Sequence, residues 1–198
     1  MIYKERQPHG GVKMKRILLA WAFLILAAAA GKTESNNFVS IAPEPSSYAW
    51  WLRAQFHPFE DHVRGIPVSD IRATWCKATE FRKDLFPPGP ASDLEQNGVS
   101  FSIDGYFDGS RIRQTALIGV YETCSGKRGS FLLILARPQG MSPTVRFLYE
   151  MPEVQFGVLG ALPDSTIQVF HCMECDLLTS FKWDKSNKRF RLLKTRGE

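Results

Sequence analysis

The sequence lacks the motifs on which common enzyme active sites are built. It contains no G-x-S-x-G nucleophile elbow, no H-E-x-x-H zinc pair and no phosphate-binding P-loop. The segment GKRGS at 126–130 has a Gly-Lys pair without the upstream glycine of a P-loop, and we interpret it as a hairpin turn. Histidine is also scarce, with four in 198 residues. We therefore expect no cofactor and no enzyme activity.

A basic excess is missing once the first thirty residues are set aside. The chain has 25 basic and 20 acidic residues, and five of the former and one of the latter lie in residues 1–30. Residues 31–198 thus carry 20 basic and 19 acidic residues, a net charge of +1. A nucleic-acid-binding domain normally has a clear basic excess, so we expect no nucleic-acid partner. The locally basic stretch 182–196 favours a charged edge strand over a binding patch.

Residues 1–30 have the three parts of a secretory signal peptide. A basic start precedes the uncharged, fourteen-residue run Ile17–Ala30, and Ala28 and Ala30 fit the small-x-small rule for cleavage after Ala30. The run is shorter than the ~20 residues that cross a membrane, which favours cleavage over the alternative of an uncleaved anchor. Met14 is a candidate true start. We expect a periplasmic or secreted protein without a stable membrane anchor after cleavage.

The remaining chain is predicted to consist of a flexible entry segment, 31–46, followed by a single domain, 47–198. Its four cysteines allow three disulfide connectivities in an oxidising compartment. We prefer Cys76–Cys124 together with Cys172–Cys175. Zinc binding and redox activity are alternatives for the second pair, which follows His171. A second C-x-x-C is missing from the sequence, and the pair is predicted to lie at a hairpin turn, which favours a structural disulfide.

Two helices are predicted in the N-terminal part of the domain, 47–86. The first covers Ser47–Phe56 and ends before Pro58. The second covers Ser69–Leu85, because its apolar residues recur at steps of three or four. The proline-rich segment 87–98 is predicted to be a loop.

The C-terminal part, 99–194, is predicted to be a sheet. Segments rich in β-branched and aromatic residues are separated by turn signals. These segments are 99–103, 113–123, 130–138, 144–151, 166–172, 177–183 and 188–194. The short connections indicate antiparallel neighbours. The predicted fold class is α+β, with two N-terminal helices packed on a mainly antiparallel, meandering sheet of about six or seven strands.

An aspartate-rich loop is the most distinctive candidate site. Asp104, Asp108 and Ser110 offer oxygen ligands beside glycine turns, as a calcium ion requires. From Ser102 to Val120 the chain resembles the loop–strand elements of FG-GAP and VCBS-type repeats in exported bacterial proteins. That resemblance implies calcium binding, although Tyr106 stands where the family pattern has an acidic ligand. Turn formation explains the same Asp and Gly residues.

A second cluster, HPFEDH at 57–62, contains two histidines and two acids. The proline within it disrupts a helical face, and we interpret the segment as a solvated loop. An enzyme site assembled from Glu60, Asp61, His62 and Asp104 is the corresponding alternative.

The leading functional expectation is an exported, non-enzymatic protein that binds another protein. An inhibitor or immunity protein acting on a secreted toxin is one concrete form. The expectation depends on the export signal, the small size, the disulfide-type cysteines and the missing catalytic motifs. The alternatives are a calcium- or zinc-binding structural or sensing module and an enzyme with a non-motif site.

Overall fold

A computed structural model describes residues 37–42, 49–138, 140–173 and 177–193. Within these ranges the chain is mostly β-strand. The strands are β1 (Val39–Ile41), β2 (Ala54–Phe56), β3 (His62–Val63), β4 (Ile66–Pro67), β5 (Trp75–Glu80), β6 (Ser102–Gly105), β7 (Gln114–Thr123), β8 (Arg128–Ala136), β9 (Thr144–Met151), β10 (Val158–Ala161), β11 (Ile167–Phe170), β12 (Leu178–Asp184) and β13 (Arg189–Leu192). The helices are α1 (Val68–Ile71) and α2 (Pro88–Gln96), with 3₁₀ turns at Trp50–Leu52 and Lys83–Leu85.

Two antiparallel sheets form the body of the domain. The first has five strands, in which β7 pairs with β8 along one edge. Along its other edge, β7 pairs with β6 near its start and with β5 near its end. Strand β9 lies beyond β8. The second sheet is the four-stranded meander β10-β11-β12-β13, and two small ribbons, β1-β2 and β3-β4, complete the set.

The main hydrophobic core lies between the two sheets. Ile118 of β7 and Ile134 of β8 belong to the same buried cluster as Phe181 of β12. At the outer strands, the Phe147 ring lies 5.7 Å from that of Phe181 and 5.3 Å from that of Phe190. The alternate side chains of β7 and β8 therefore pack against the second sheet.

The opposite face of the five-stranded sheet is covered as well. Leu117 and Leu133 are fully buried there in a second cluster, beneath the β3-β4 ribbon and α1. In the same cluster the Trp75 ring stacks on Tyr121 with centroids 4.5 Å apart. Because both faces are covered, β7 and β8 read as nearly continuous apolar runs in the sequence.

The predicted fold class is wrong. The described residues contain one helix longer than six residues, α2, and it lies outside the region predicted to be helical. Of the helix predicted over 47–56, the described residues 49–56 instead form a 3₁₀ turn and strand β2, with Trp50 and Trp51 buried. The predicted strands after residue 99 all have counterparts, but they belong to two sheets, and β10 was not predicted.

A β-bulge explains the missing second helix. Trp75 lies opposite Thr123 and Lys77 lies opposite Glu122, so Cys76 is an extra residue in β5. The bulge shifts the two-residue alternation, and Trp75 and Ala78 consequently face the same cluster. An apolar spacing of three residues, which is typical of a helix, thus occurs in a strand.

The prolines of 87–98 begin a helix instead of preventing one. Pro88 and Pro90 occupy the first turn of α2, where backbone N–H groups have no partner within the helix. Leu94 anchors the helix in the core with no exposed surface. Gly98, with φ of +59°, follows the helix end.

The domain begins earlier than predicted. Residues 37–42 fall in the predicted entry segment, but Phe38 is 1% exposed and β1 pairs with β2. The predicted signal peptide, residues 1–30, lies outside the described residues. Of the helices that the structure describes, none combines the length and apolar character needed to span a membrane.

A disulfide joins Cys76 and Cys124, the pairing that we preferred. It links the bulge of β5 to the residue after β7. The second predicted pair includes Cys175, which lies outside the described residues. Strand β13 is an edge strand with Arg189 and Arg191 exposed, as the charge pattern of 182–196 indicates.

Candidate binding surface

Four strands of the larger sheet have one terminus each in the same row across the sheet. Gly105 of β6 pairs with Gln114 of β7, which pairs with Ala136 of β8, which in turn pairs with Thr144 of β9. The β6-β7 loop and the β8-β9 loop therefore leave the sheet at the same end. We call residues 106–113 and 137–145, without Gln139, the strand-end surface.

The strand-end surface exposes large apolar side chains. Met141 is 67% exposed, Tyr106 55%, Ile112 42% and Val145 37%. These four are half of the large hydrophobic residues that are exposed in the described part of the chain. Apolar side chains grouped at exposed loop tips are typical of a protein-binding surface.

An arginine-lined pocket adjoins these loops. Its volume is about 190 Å³, and its lining residues are Arg64, Ser102, Asp104, Arg113, Thr115 and Arg137. We call it the arginine pocket.

The sheet register positions most of its lining. Asp104 of β6 lies opposite Thr115 of β7. Arg113 and Arg137 lie just beyond the ends of β7 and β8, and the Arg137 N–H donates to the Arg113 carbonyl at 3.0 Å. Arg64 comes from the turn between β3 and β4, where its φ is +52°.

Both carboxylate oxygens of Asp104 accept a hydrogen bond. Arg113 donates to its Oδ2 at 3.0 Å, and the Thr115 hydroxyl donates to its Oδ1 at 2.6 Å. Asp104 is therefore paired with the guanidinium of Arg113 at the pocket wall, where the two side chains are 45% and 67% exposed.

Asp108 is held by partners other than those of Asp104. Its Oδ1 accepts the Ser110 N–H at 2.9 Å, and its Oδ2 accepts from Arg146 at 2.9 Å. Burial raises the pKa of Asp108, but hydrogen bonds from Ser110 and Arg146 outweigh it and hold the pKa below its ordinary value. The loop thus has the geometry of a turn. Among the described residues, no group of three His, Cys, Asp or Glu side chains is placed so that it could hold a metal ion.

The cluster at 57–62 is not brought together as a site. Arg82 binds Glu60 through both terminal nitrogens, at 3.0 and 3.1 Å. Asp61 and His62 form an exposed pair at 2.7 Å, whereas His57 contacts Ser40. The alternative of an enzyme site from Glu60, Asp61, His62 and Asp104 gains no support, because two of these carboxylates are held by different arginines.

His171 lies apart from both groups. Its Nε2 is 2.9 Å from the Thr179 hydroxyl, and burial lowers its pKa. The zinc and redox alternatives for Cys172 and Cys175 fall partly outside the described residues.

Comparison of the chain with known protein families, with curated proteins and with solved structures finds no match. The FG-GAP and VCBS resemblance stays a prediction. The described residues therefore define a structural class only: a mostly β domain in which two antiparallel sheets pack together. A basic pocket lies at one end of the larger sheet.

Sequence reasoning missed the arginines of the pocket. Arg64, Arg113 and Arg137 are far apart in the chain and form no motif. The alternation of Arg113 and Thr115 is a local signal, but their position opposite Asp104 depends on the hairpin register.

Proposed function

We propose that this chain is an exported, non-enzymatic domain that binds another protein through its strand-end surface. Export is supported by the leader-like pattern of residues 1–30 and by the Cys76–Cys124 disulfide, which is typical of oxidising compartments. The compartment is the periplasm if the source is a Gram-negative bacterium.

The observation that carries the proposal is the combination of exposed apolar residues and arginines on adjacent loops. Tyr106 and Met141 supply apolar area, while Arg111, Arg113 and Arg137 supply positive charge. Aromatic residues, Met and Arg are enriched at protein interfaces. A partner that presents a carboxylate surrounded by apolar groups would complement this surface. Inhibition of a secreted toxin is one form that such binding would take.

The test is capture with the full chain, tagged at its C-terminus and expressed in its native host. Fractionation first checks that the tagged protein is recovered outside the cytoplasm without residues 1–30. Chemical cross-linking and affinity capture should then recover a reproducible protein partner, at least tenfold less with the triple variant Tyr106→Ser, Ile112→Ser, Met141→Ser.

The matched control is Leu52→Ser. Leu52 is 74% exposed and lies toward the end of β8 that is opposite the strand-end surface. Two residues before it, Trp50 has its ring 5.3 Å from that of Phe156. Gln155, next to Phe156, donates its N–H to Ser130 near the start of β8, whereas the strand-end surface adjoins the other end of that strand. This control should leave capture unchanged. Equal capture by the triple variant, or cytoplasmic recovery of the intact chain, would contradict the proposal.

A further inference from the structure

We infer that the arginine pocket is a binding site for one oxyanion group, a carboxylate or a phosphate, with Arg137 as its principal ligand. The inference deepens the proposed function. It rests on that function only in assigning the oxyanion to a partner protein, whereas the anion site itself is independent of it.

The charge balance of the pocket leaves one guanidinium without a counterion. Arg113 is paired with Asp104 at 3.0 Å, and Arg64 is paired with Glu80 at 2.7 Å. Arg137 has no ion pair within the part of the chain that the structure describes, and its side chain lines the same pocket. An anion that enters therefore meets an excess of one positive charge.

Hydrogen-bond donors remain available on all three arginines. A guanidinium has five N–H donors. Arg64 donates from Nε and Arg113 from one terminal nitrogen, so N–H groups on their other nitrogens remain available to a ligand. The planar, forked donors of arginine match the oxygens of carboxylate and phosphate groups. The lining thus selects an oxyanion over a neutral polar group.

Ion pairs orient two of the three arginines, Arg64 and Arg113. Glu80, whose side chain is 10% exposed, pairs with Arg64 and lies 3.9 Å from Arg82, which Glu60 also binds. Asp104 fixes Arg113 with help from Thr115, which is 7% exposed. These residues position the arginines and are not themselves ligands.

The size of the pocket suits one small anionic group. Its volume of about 190 Å³ is below the ~300–1,000 Å³ of pockets that enclose drug-sized ligands. It is several times the ~30 Å³ that one water molecule occupies in the liquid. A carboxylate or phosphate group with part of its hydration fits this volume.

The test uses the purified full-length product, as recovered from its host, titrated with malonate and separately with inorganic phosphate. Binding is followed by NMR chemical shifts of the arginine side chains and of the backbone amides of 102–115. We expect saturable shifts with a dissociation constant on the order of 1 mM that weakens as NaCl is added. Arg137→Gln should raise that constant at least tenfold.

The matched control is Arg191→Gln, which removes one positive charge from the exposed edge strand β13 and should leave binding unchanged. Thermal unfolding of both variants checks that they are folded. Unsaturable shifts in the wild type, or equal effects of the two substitutions, would overturn the site. Tighter malonate binding assigns the pocket to a carboxylate, and tighter phosphate binding assigns it to a phosphate group.

The same variants separate this inference from the proposed function. If Arg137→Gln loses malonate and phosphate but still captures the partner, the oxyanion site stands and is not used in protein binding. If the apolar triple variant loses the partner while the wild type binds neither anion, protein binding stands and the oxyanion site is wrong.

Discussion

At the scale of single residues, arginine determines what the acidic side chains do. Asp104 and Asp108 fit a calcium loop in the sequence, yet Arg113 and Arg146 each hold one of them at 3.0 and 2.9 Å. Glu60 fits an acid–base cluster, and Arg82 binds it through two nitrogens. Which arginine meets which carboxylate depends on strand register. The residue types alone therefore do not predict which side chains the described part of the fold brings together.

His171 makes stability depend on pH in a predictable direction. Its surroundings bury the ring and lower its pKa, so protonation occurs more readily in the unfolded chain. The free energy of unfolding should be at its full value above about pH 6.5, the ordinary histidine pKa, and should fall as the pH drops below it. Urea unfolding at pH 8, 7, 6 and 5 measures this slope.

The substitution His171→Gln should flatten the decline between pH 7 and pH 5. It keeps a polar group near the Thr179 hydroxyl, which the histidine Nε2 meets at 2.9 Å. His62→Gln, at an exposed position, serves as the control and should retain the decline. An unchanged slope in His171→Gln would show that other groups cause the acid sensitivity.

At the scale of elements, β7 and β9 could be predicted from the sequence almost to the residue, and β8 to within two residues at each end. Their long β-branched and aromatic runs are bounded by clear turns, and β9 has the predicted bounds, Thr144–Met151. Strand β5 could not be predicted, because its bulge at Cys76 gives a helical spacing of apolar residues. Helix α2 could not be predicted either, since proline is compatible with a first helical turn and with a loop alike.

Close approach of β5, β7 and β8 requires glycine at position 119. A Cβ on Gly119 would overlap the Thr79 carbonyl oxygen and would lie 2.8 Å from both Glu80 Cα and Phe131 Cζ. Two of these three atoms belong to the backbone, so the strands themselves would have to move. We expect Gly119→Ala to lower the free energy of unfolding by about 1–3 kcal/mol, the usual effect of overpacking.

Gly89→Ala is the control for this effect. Gly89 lies in α2, and outside its chain neighbours and the helix's own backbone nothing stands within 4 Å of an added Cβ. Alanine favours a helix over glycine by up to ~1 kcal/mol, whereas Pro90 disfavours a helical residue with a Cβ before it. Because these two effects oppose each other, this variant should change stability much less than Gly119→Ala. Urea midpoints measure both changes, and equal midpoints for the two variants would refute the packing argument.

At the scale of the whole molecule, the core depends on contacts between distant parts of the chain. Phe38, near the start of the described residues, lies 5.8 Å from Phe81 and 6.2 Å from Phe86 between ring centroids. The second sheet closes the same core from the C-terminal side. Such a fold brings many residues together across long loops, and a covalent link between distant segments stabilises it by limiting the unfolded chain.

The Cys76–Cys124 disulfide is that link. The two cysteines are 48 residues apart, and both are exposed, so replacing them with serine disturbs little packing. In the chain-entropy model, a loop of this length stabilises the fold by about 4 kcal/mol. The double variant Cys76→Ser, Cys124→Ser should lose about 2–4 kcal/mol in urea unfolding. Its m-value should rise, because an uncrosslinked chain exposes more surface when it unfolds. A loss below about 1 kcal/mol with the same m-value would mean that β5 and β7 stay paired in the unfolded ensemble without the bond.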